Sequence, residues 1–167
     1  MEQLVIHGGH PLHGRVKIGG AKNAVLPIIA GTLLGTNGRS VLDDVPALED
    51  VYTITAVLRA LGVTADYTPE EHRLVIDASH IGTAVAPYDL VRKMRASFLI
   101  MGPLLAREGH AEISLPGGCA IGTRPIDLHL KGFEALGAEI GITQGAIHAR
   151  APHGLKGARI YFDFPSV

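Results

Sequence analysis

Lys93-Met-Arg-Ala-Ser-Phe-Leu-Ile-Met-Gly-Pro-Leu-Leu105 repeats the pattern of Lys22-Asn-Ala-Val-Leu-Pro-Ile-Ile-Ala-Gly-Thr-Leu-Leu34. Both stretches open on a lysine and continue as an apolar run of helical length. The repetition extends beyond them. Gly109-His-Ala-Glu-Ile-Ser-Leu115 matches the strand-like residues 39–42 after Gly38. Phe133-Glu-Ala-Leu-Gly137 matches Leu58-Arg-Ala-Leu-Gly62. Residues 138–142 and 146–149 match the run 63–67 and its partner 73–76. Each copy reads helix, strand, helix, strand, strand. Such a unit buries its apolar face against a neighbour, so the expected fold is α/β with internal pseudo-symmetry.

Inside the first copy, Gly19-Gly-Ala-Lys-Asn-Ala-Val-Leu-Pro27 reads as a glycine turn feeding a helix with Asn23 near its N-cap. Pro27 is tolerated if it falls close to the first turn. Free amides and Lys22 at a helix start make an anion site, although Gly-Gly before a helix is most often only a turn. It is not a Walker A loop, because Gly-x4-Gly-Lys-Ser/Thr is absent. Val51, Ile54, Val57, Leu58 and Leu61 have helical spacing over residues 50–61, and Gly62 caps that helix. Thr68-Pro-Glu-Glu-His72 turns between the two strands after it. In the second copy, Arg92, Lys93 and Arg95 form a basic run, and helical spacing places Arg92 and Arg95 on one face.

The ends extend this pattern. Residues 3–18 read as a hairpin of Leu4-Val-Ile6 and Arg15-Val-Lys-Ile18 around Gly8, Gly9, Pro11 and Gly14. His7, His10 and His13 fall at that turn and read as solvated, since no cysteine or carboxylate joins them as a metal ligand. Residues 156–167 read as a strand leading into a third copy. The expectation is a piece of a longer protein, against a natural two-unit chain.

The copies differ mainly at residues 116–123, within Leu115-Pro-Gly-Gly-Cys-Ala-Ile-Gly-Thr-Arg-Pro-Ile-Asp-Leu-His129. An insertion in one copy of a repeat is where function is usually mounted. It holds the sole cysteine, Cys119, with Gly117 and Gly118 just before it and Arg124 shortly after. The glycines fit a loop, and the cation favours a thiolate or an anion beside it. An inert, buried thiol is the other reading, and the residues alone leave the two balanced.

The 167 residues suffice for one sizeable core. A hydrophobic fraction of 47% and a mean hydropathy of +0.25 are globular. A net charge of -1 gives no electrostatic case for nucleic acid or an anionic membrane. No tryptophan and 5% aromatics argue against base-stacking platforms. A single cysteine excludes an internal disulfide and suits a reducing compartment, so the cytoplasm is expected. The N-terminus lacks a basic segment followed by an apolar one, and the apolar runs near 24–34 and 96–106 are too short and too broken to span a bilayer.

Gly20-Ala-Lys-Asn-Ala, Ala86-Pro-Tyr-Asp-Leu-Val-Arg-Lys-Met-Arg-Ala-Ser and the Cys119 stretch resemble the UDP-N-acetylglucosamine 1-carboxyvinyltransferases, a family of enolpyruvyl transferases, and the resemblance runs the whole length. It implies an inside-out α/β barrel pair, of which this chain would hold two of six repeats. Residues 1–21 would be an opening hairpin belonging to the other domain, and residues 22–167 two repeats of a three-repeat domain. It implies transfer of the enolpyruvyl group of phosphoenolpyruvate to the 3′-hydroxyl of UDP-N-acetylglucosamine with release of phosphate, the first committed step of bacterial peptidoglycan synthesis. Cys119 matches the family's loop cysteine, general acid toward the enolpyruvyl methylene, able to form an adduct with phosphoenolpyruvate and targeted by fosfomycin. Lys22, Arg95 and Arg124 match its cations, and Asn23 a residue near the reacting centre. Arg124, Pro125, Ile126, Asp127 and Leu128 match a uridine diphosphate segment, and Ser166 and Val167 the start of another. No metal or cofactor is implied, because arginine and lysine supply the charge.

Two further readings stand beside this one. The 5-enolpyruvylshikimate 3-phosphate synthases share the fold but would not be expected to carry the cysteine loop. A non-catalytic sugar-nucleotide-binding module is the other. The family's catalytic aspartates and further arginines lie beyond Val167, in a missing C-terminal part. The chain alone is therefore expected to have little or no turnover.

Overall fold

The structure is a computed structural model that describes residues 3–92, 94–115 and 126–162. The first unit runs α1 (Lys22–Gly31), β1 (Ser40–Leu42), α2 (Glu49–Ala60), β2 (Thr64–Thr68) and β3 (Arg73–Asp77). A short parallel strand, β4 (Val85–Ala86), and one turn of helix, α3 (Tyr88–Val91), lead to the second unit. There a 3-10 helix, Arg95–Ile100, continues into α4 (Met101–Glu108), followed by β5 (His110–Ser114), α5 (Asp127–Ala135), β6 (Glu139–Thr143) and β7 (Ala146–Arg150). The repeat expected from the sequence is therefore present element by element.

The pairing repeats as well. In the first sheet β3 lies between β1 and β2, antiparallel to both, with Val75 opposite Val41 and Asp66. In the second, β7 lies between β5 and β6 in the same sense, with Ile147 opposite Ile113 and Ile142. β4 adds a parallel edge to β5. Alternation along the strands buries Leu74 and Ile76 from one sheet and Ile113 and Ile147 from the other, and leaves the opposite faces partly or fully open. Those buried faces meet the helices in one core that includes Ile29, Leu33, Ile54, Leu58, Met101, Leu104 and Leu105. Every apolar residue singled out in α2 and at its end, namely Val51, Ile54, Val57, Leu58 and Leu61, is fully buried. Each such aliphatic side chain contributes about 1.5–3 kcal/mol of transfer free energy.

The structure corrects the sequence expectations at several points. Residues 3–20 form no strand, and Leu4, Ile6, Val16 and Ile18 are exposed. A two-stranded hairpin is marginal without a third surface, and among the described residues none covers it. Asn23 does lie near the N-cap, as the second helical residue, and the N-cap itself is Ala21, with extended backbone and no side-chain cap. Pro27 is the sixth helical residue, beyond the first turn, so the helix forgoes the amide that would reach the Asn23 carbonyl. Arg92 and Arg95 do not share a helix face. Arg92 ends α3 over the Tyr88 ring, and the extended Met94 breaks the helix so that Val91 and Met94 both enter the core. The expected strand after Lys156 is absent from residues 156–162, where no neighbouring strand offers a ladder among the described residues.

Candidate active-site wall at the start of α1

A short chain of contacts fixes where α1 begins. His72 and Asp44 adopt left-handed backbone conformations with φ of 50° and 56°. Between them the buried Val45 donates its amide to the His72 carbonyl at 2.8 Å. The Val45 carbonyl accepts from the Tyr67 hydroxyl at 3.2 Å and lies 3.3 Å from His72 Nδ1. Burial, then the neighbouring Tyr52 and Glu70, push the Tyr67 phenol up from its ordinary value, so it stays a donor. This pins Asp44 and Pro46 to the first sheet. Gly20 packs on both: a β-carbon there would overlap the Asp44 carbonyl oxygen and stand 3.1 Å from Pro46 Cδ. Lys22 comes directly after this contact and Ala21.

Lys22 and Asn23 are the first two residues of α1 and both are exposed. Their amides have no intrahelical acceptor, because the Ala21 carbonyl serves only Ala24 and Val25. Two free amides, an ammonium and the helix dipole together favour an anion. Lys22 Nζ lies 3.0 Å from Asp50 Oδ2, in the first turn of α2. Sequence reasoning missed that pair. The acidic first turn of α2 was visible, but nothing in the pattern tied it to the lysine that opens α1.

The other expected site residues are distributed as follows. Arg95 is the first residue of the 3-10 helix, and that helix packs on α1. Ile126 is the N-cap of α5 and half-buried. Asp127 is the exposed first residue of that helix, an acid at its positive end, and Leu128 is half-buried. Cys119, Arg124, Pro125, Ser166 and Val167 lie outside the described residues. Among the described residues no group of three or more His, Cys, Asp or Glu side chains could hold a metal, and no helix is long and apolar enough to cross a membrane.

Repeated units, a helix start that presents Lys22 and Asn23, and a cysteine stretch running into α5 match a known class of protein. The model of the EPSP synthase (3-phosphoshikimate 1-carboxyvinyltransferase) family matches residues 6–167, and the chain belongs to that family. The enolpyruvyl transferase NikO from Streptomyces tendae has the same fold, with a TM-score of 0.75 at 24% identity over 90% of this chain and 32% of that one. In sequence the chain is 62% identical to UDP-N-acetylglucosamine 1-carboxyvinyltransferase 2 of Carboxydothermus hydrogenoformans, over all of this chain and 39% of that protein. It is 56% identical to UDP-N-acetylglucosamine 1-carboxyvinyltransferase 1 of Halalkalibacterium halodurans and of Staphylococcus aureus, again over its whole length and 38% and 40% of theirs. The chain thus spans about two fifths of these relatives.

Proposed function

We propose that this chain forms one wall of a UDP-N-acetylglucosamine 1-carboxyvinyltransferase, completed by a C-terminal part, and works in the cytoplasm in peptidoglycan synthesis. Residues 1–21 belong to the other domain, and residues 22–167 are two of three repeats of this one. The observation that carries the reading is the identity of 56–62%, unbroken over the whole chain, to proteins of that name. The exposed apolar residues of 3–18 fit a segment that packs on something other than these two units.

The chemistry divides among named groups. The sugar 3′-hydroxyl gives its proton to a carboxylate of the C-terminal part as its oxygen bonds to C2 of phosphoenolpyruvate, while the C2=C3 double bond opens and C3 takes a proton from Cys119, leaving the thiolate. The methyl so formed then returns a proton to the Cys119 thiolate, C2=C3 re-forms as the C2–O bond to phosphate breaks, and phosphate leaves with the electron pair of that bond. Lys22, the free amides of α1, Arg95 and Arg124 hold the anionic oxygens, where preorganised cations act most strongly. Asn23 lies beside the reacting centre. Arg124, Pro125, Ile126, Asp127, Leu128, Ser166 and Val167 receive the uridine diphosphate.

The test is phosphate release from phosphoenolpyruvate and UDP-N-acetylglucosamine by the full-length protein, with Cys119→Ser and Lys22→Ala beside it. Release that both substitutions suppress supports the reading. Release with shikimate 3-phosphate as acceptor in place of the sugar nucleotide overturns it in favour of the sister reaction, and sugar-nucleotide binding without turnover overturns it in favour of a binding module.

A further inference from the structure

We propose that Asp50 is a positioning residue for enolpyruvyl transfer: it fixes the direction of the Lys22 ammonium without itself touching a reacting atom. The proposal rests on the function proposed above. Asp50 Oδ2 lies 3.0 Å from Lys22 Nζ, within direct hydrogen-bond reach. The Asp50 side chain is 29% exposed and that of Lys22 52%, so the carboxylate is the sheltered partner and the ammonium the accessible one. Asp50 is the second residue of α2, where the helix dipole favours its charge. The helix behind it is held by fully buried Val51, Ile54, Val57 and Leu58, and Lys22 starts a helix whose Val25, Leu26 and Ile29 enter the same core. Two rigid helices thus set the spacing of the pair.

A lysine side chain samples many rotamers, and ordering on a ligand would forfeit that freedom. Holding one of its three donors on Asp50 removes part of that loss in advance and leaves two donors for a phosphate or carboxylate oxygen. An exposed pair of this kind contributes little to stability, so its value lies in orientation.

The test uses the full-length protein with Asp50→Asn, Asp50→Ala and Asp50→Glu. Expected are a KM for phosphoenolpyruvate raised about tenfold or more and a lowered kcat in Asn and Ala, partial recovery in Glu, and a KM for the sugar nucleotide within about twofold of wild type. Melting temperature should stay within about 2 °C. Unchanged kinetics overturn the proposal. So does tighter phosphoenolpyruvate binding, which would make Asp50 a competitor, and so does a parallel loss for both substrates with a lowered melting temperature, which would make it structural. Labelling of Lys22 by trinitrobenzenesulfonate, read by peptide mass spectrometry against Lys156, needs no turnover. Several-fold faster labelling in Asp50→Asn supports the pairing, and equal rates overturn it even where the wild type is inactive and the functional reading has failed.

Discussion

Replacing Arg107 by alanine should cost this fold about 3 kcal/mol, the loss of two part-buried hydrogen bonds, although Arg107 is neither apolar nor part of the candidate site. The residue sits in the last turn of α4, in the second unit, and its guanidinium reaches into the first. Nη1 donates to the carbonyls of Leu33 at 2.9 Å and Gly35 at 2.8 Å, and to that of Ala78. Nη2 donates to the Ser79 carbonyl at 2.9 Å, and Nε faces Glu108 at 3.6 Å. One side chain thus ties the end of the first unit's opening helix to the segment leaving β3. The Gly35 and Ser79 carbonyls are near solvent and recover water when the arginine is removed, so their loss is small. The Leu33 and Ala78 bonds are part-buried, and each loss costs about 1–3 kcal/mol. For a chain of this length, about 3 kcal/mol corresponds to a melting point lowered by about 6–12 °C. Thermal unfolding followed by circular dichroism at matched protein concentration reads this directly. Arg107→Lys should recover less than half, because an ammonium cannot span four carbonyls in fork geometry. An alanine variant within about 2 °C of wild type, or a lysine variant equal to it, would refute the argument.

Local geometry yields two shorter predictions. Gly20→Ala forces backbone to move at Asp44 and Pro46 and should lower stability by about 1–3 kcal/mol. Gly31→Ala, in a helix with open space around it, should be neutral or stabilising by up to about 1 kcal/mol. Equal denaturation midpoints for the two would contradict the close-contact reading. Asp77 accepts from Ser79 Oγ at 2.6 Å and Ser79 N at 3.1 Å, and chiefly the hydroxyl bond, then the amide bond, hold its carboxyl below the ordinary range. A pKa depressed in the folded state means stability present above the unfolded value and lost as pH falls through the folded one. Ser79→Ala should therefore move the Asp77 titration, followed by carboxyl carbon NMR, upward. An unmoved titration would remove the hydroxyl as its cause.

What was legible in the sequence was what periodicity and single-residue backbone demands encode. The α2 stripe from Val51 to Leu61 was legible because burial on one face imposes helical spacing. Gly62 and Gly137 were legible as helix ends because φ of 85° and 93° suits glycine. Illegible features depended on a partner distant in sequence. The residues 3–18 have the composition of a hairpin, yet pairing also needs a surface to bury Leu4 and Ile6. Arg107 follows an apolar run like any helix-ending cation, and its acceptors lie as far away as Leu33. Of the candidate site, the exposed helix start at Lys22 and Asn23 was readable from the glycine turn before it, whereas Asp50 comes beside Lys22 only once α1 and α2 are packed together.

The same dependence on neighbours explains a difference between the two units that their sequences alone do not suggest. Similar hydrogen bonds follow the second helix of each unit: Gly82 donates to the Leu61 carbonyl at 2.8 Å, and Lys156 donates to the Leu136 carbonyl at 2.9 Å. Yet α2 buries five residues and α5 none, although both follow helical spacing. The reason is flanking. α2 packs against α1, α3 and the Arg95–Ile100 helix of the second unit. Among the described residues no following unit stands beyond α5 in the same way, so Leu130 and Phe133 remain half-buried. A repeat of this kind encodes in each unit the face it offers, while the next unit determines whether that face becomes core. The Lys22–Asp50 pair lies inside the first unit, on two helices that both bury side chains in the core, so the geometry that orients Lys22 is set by the better-packed of the two units.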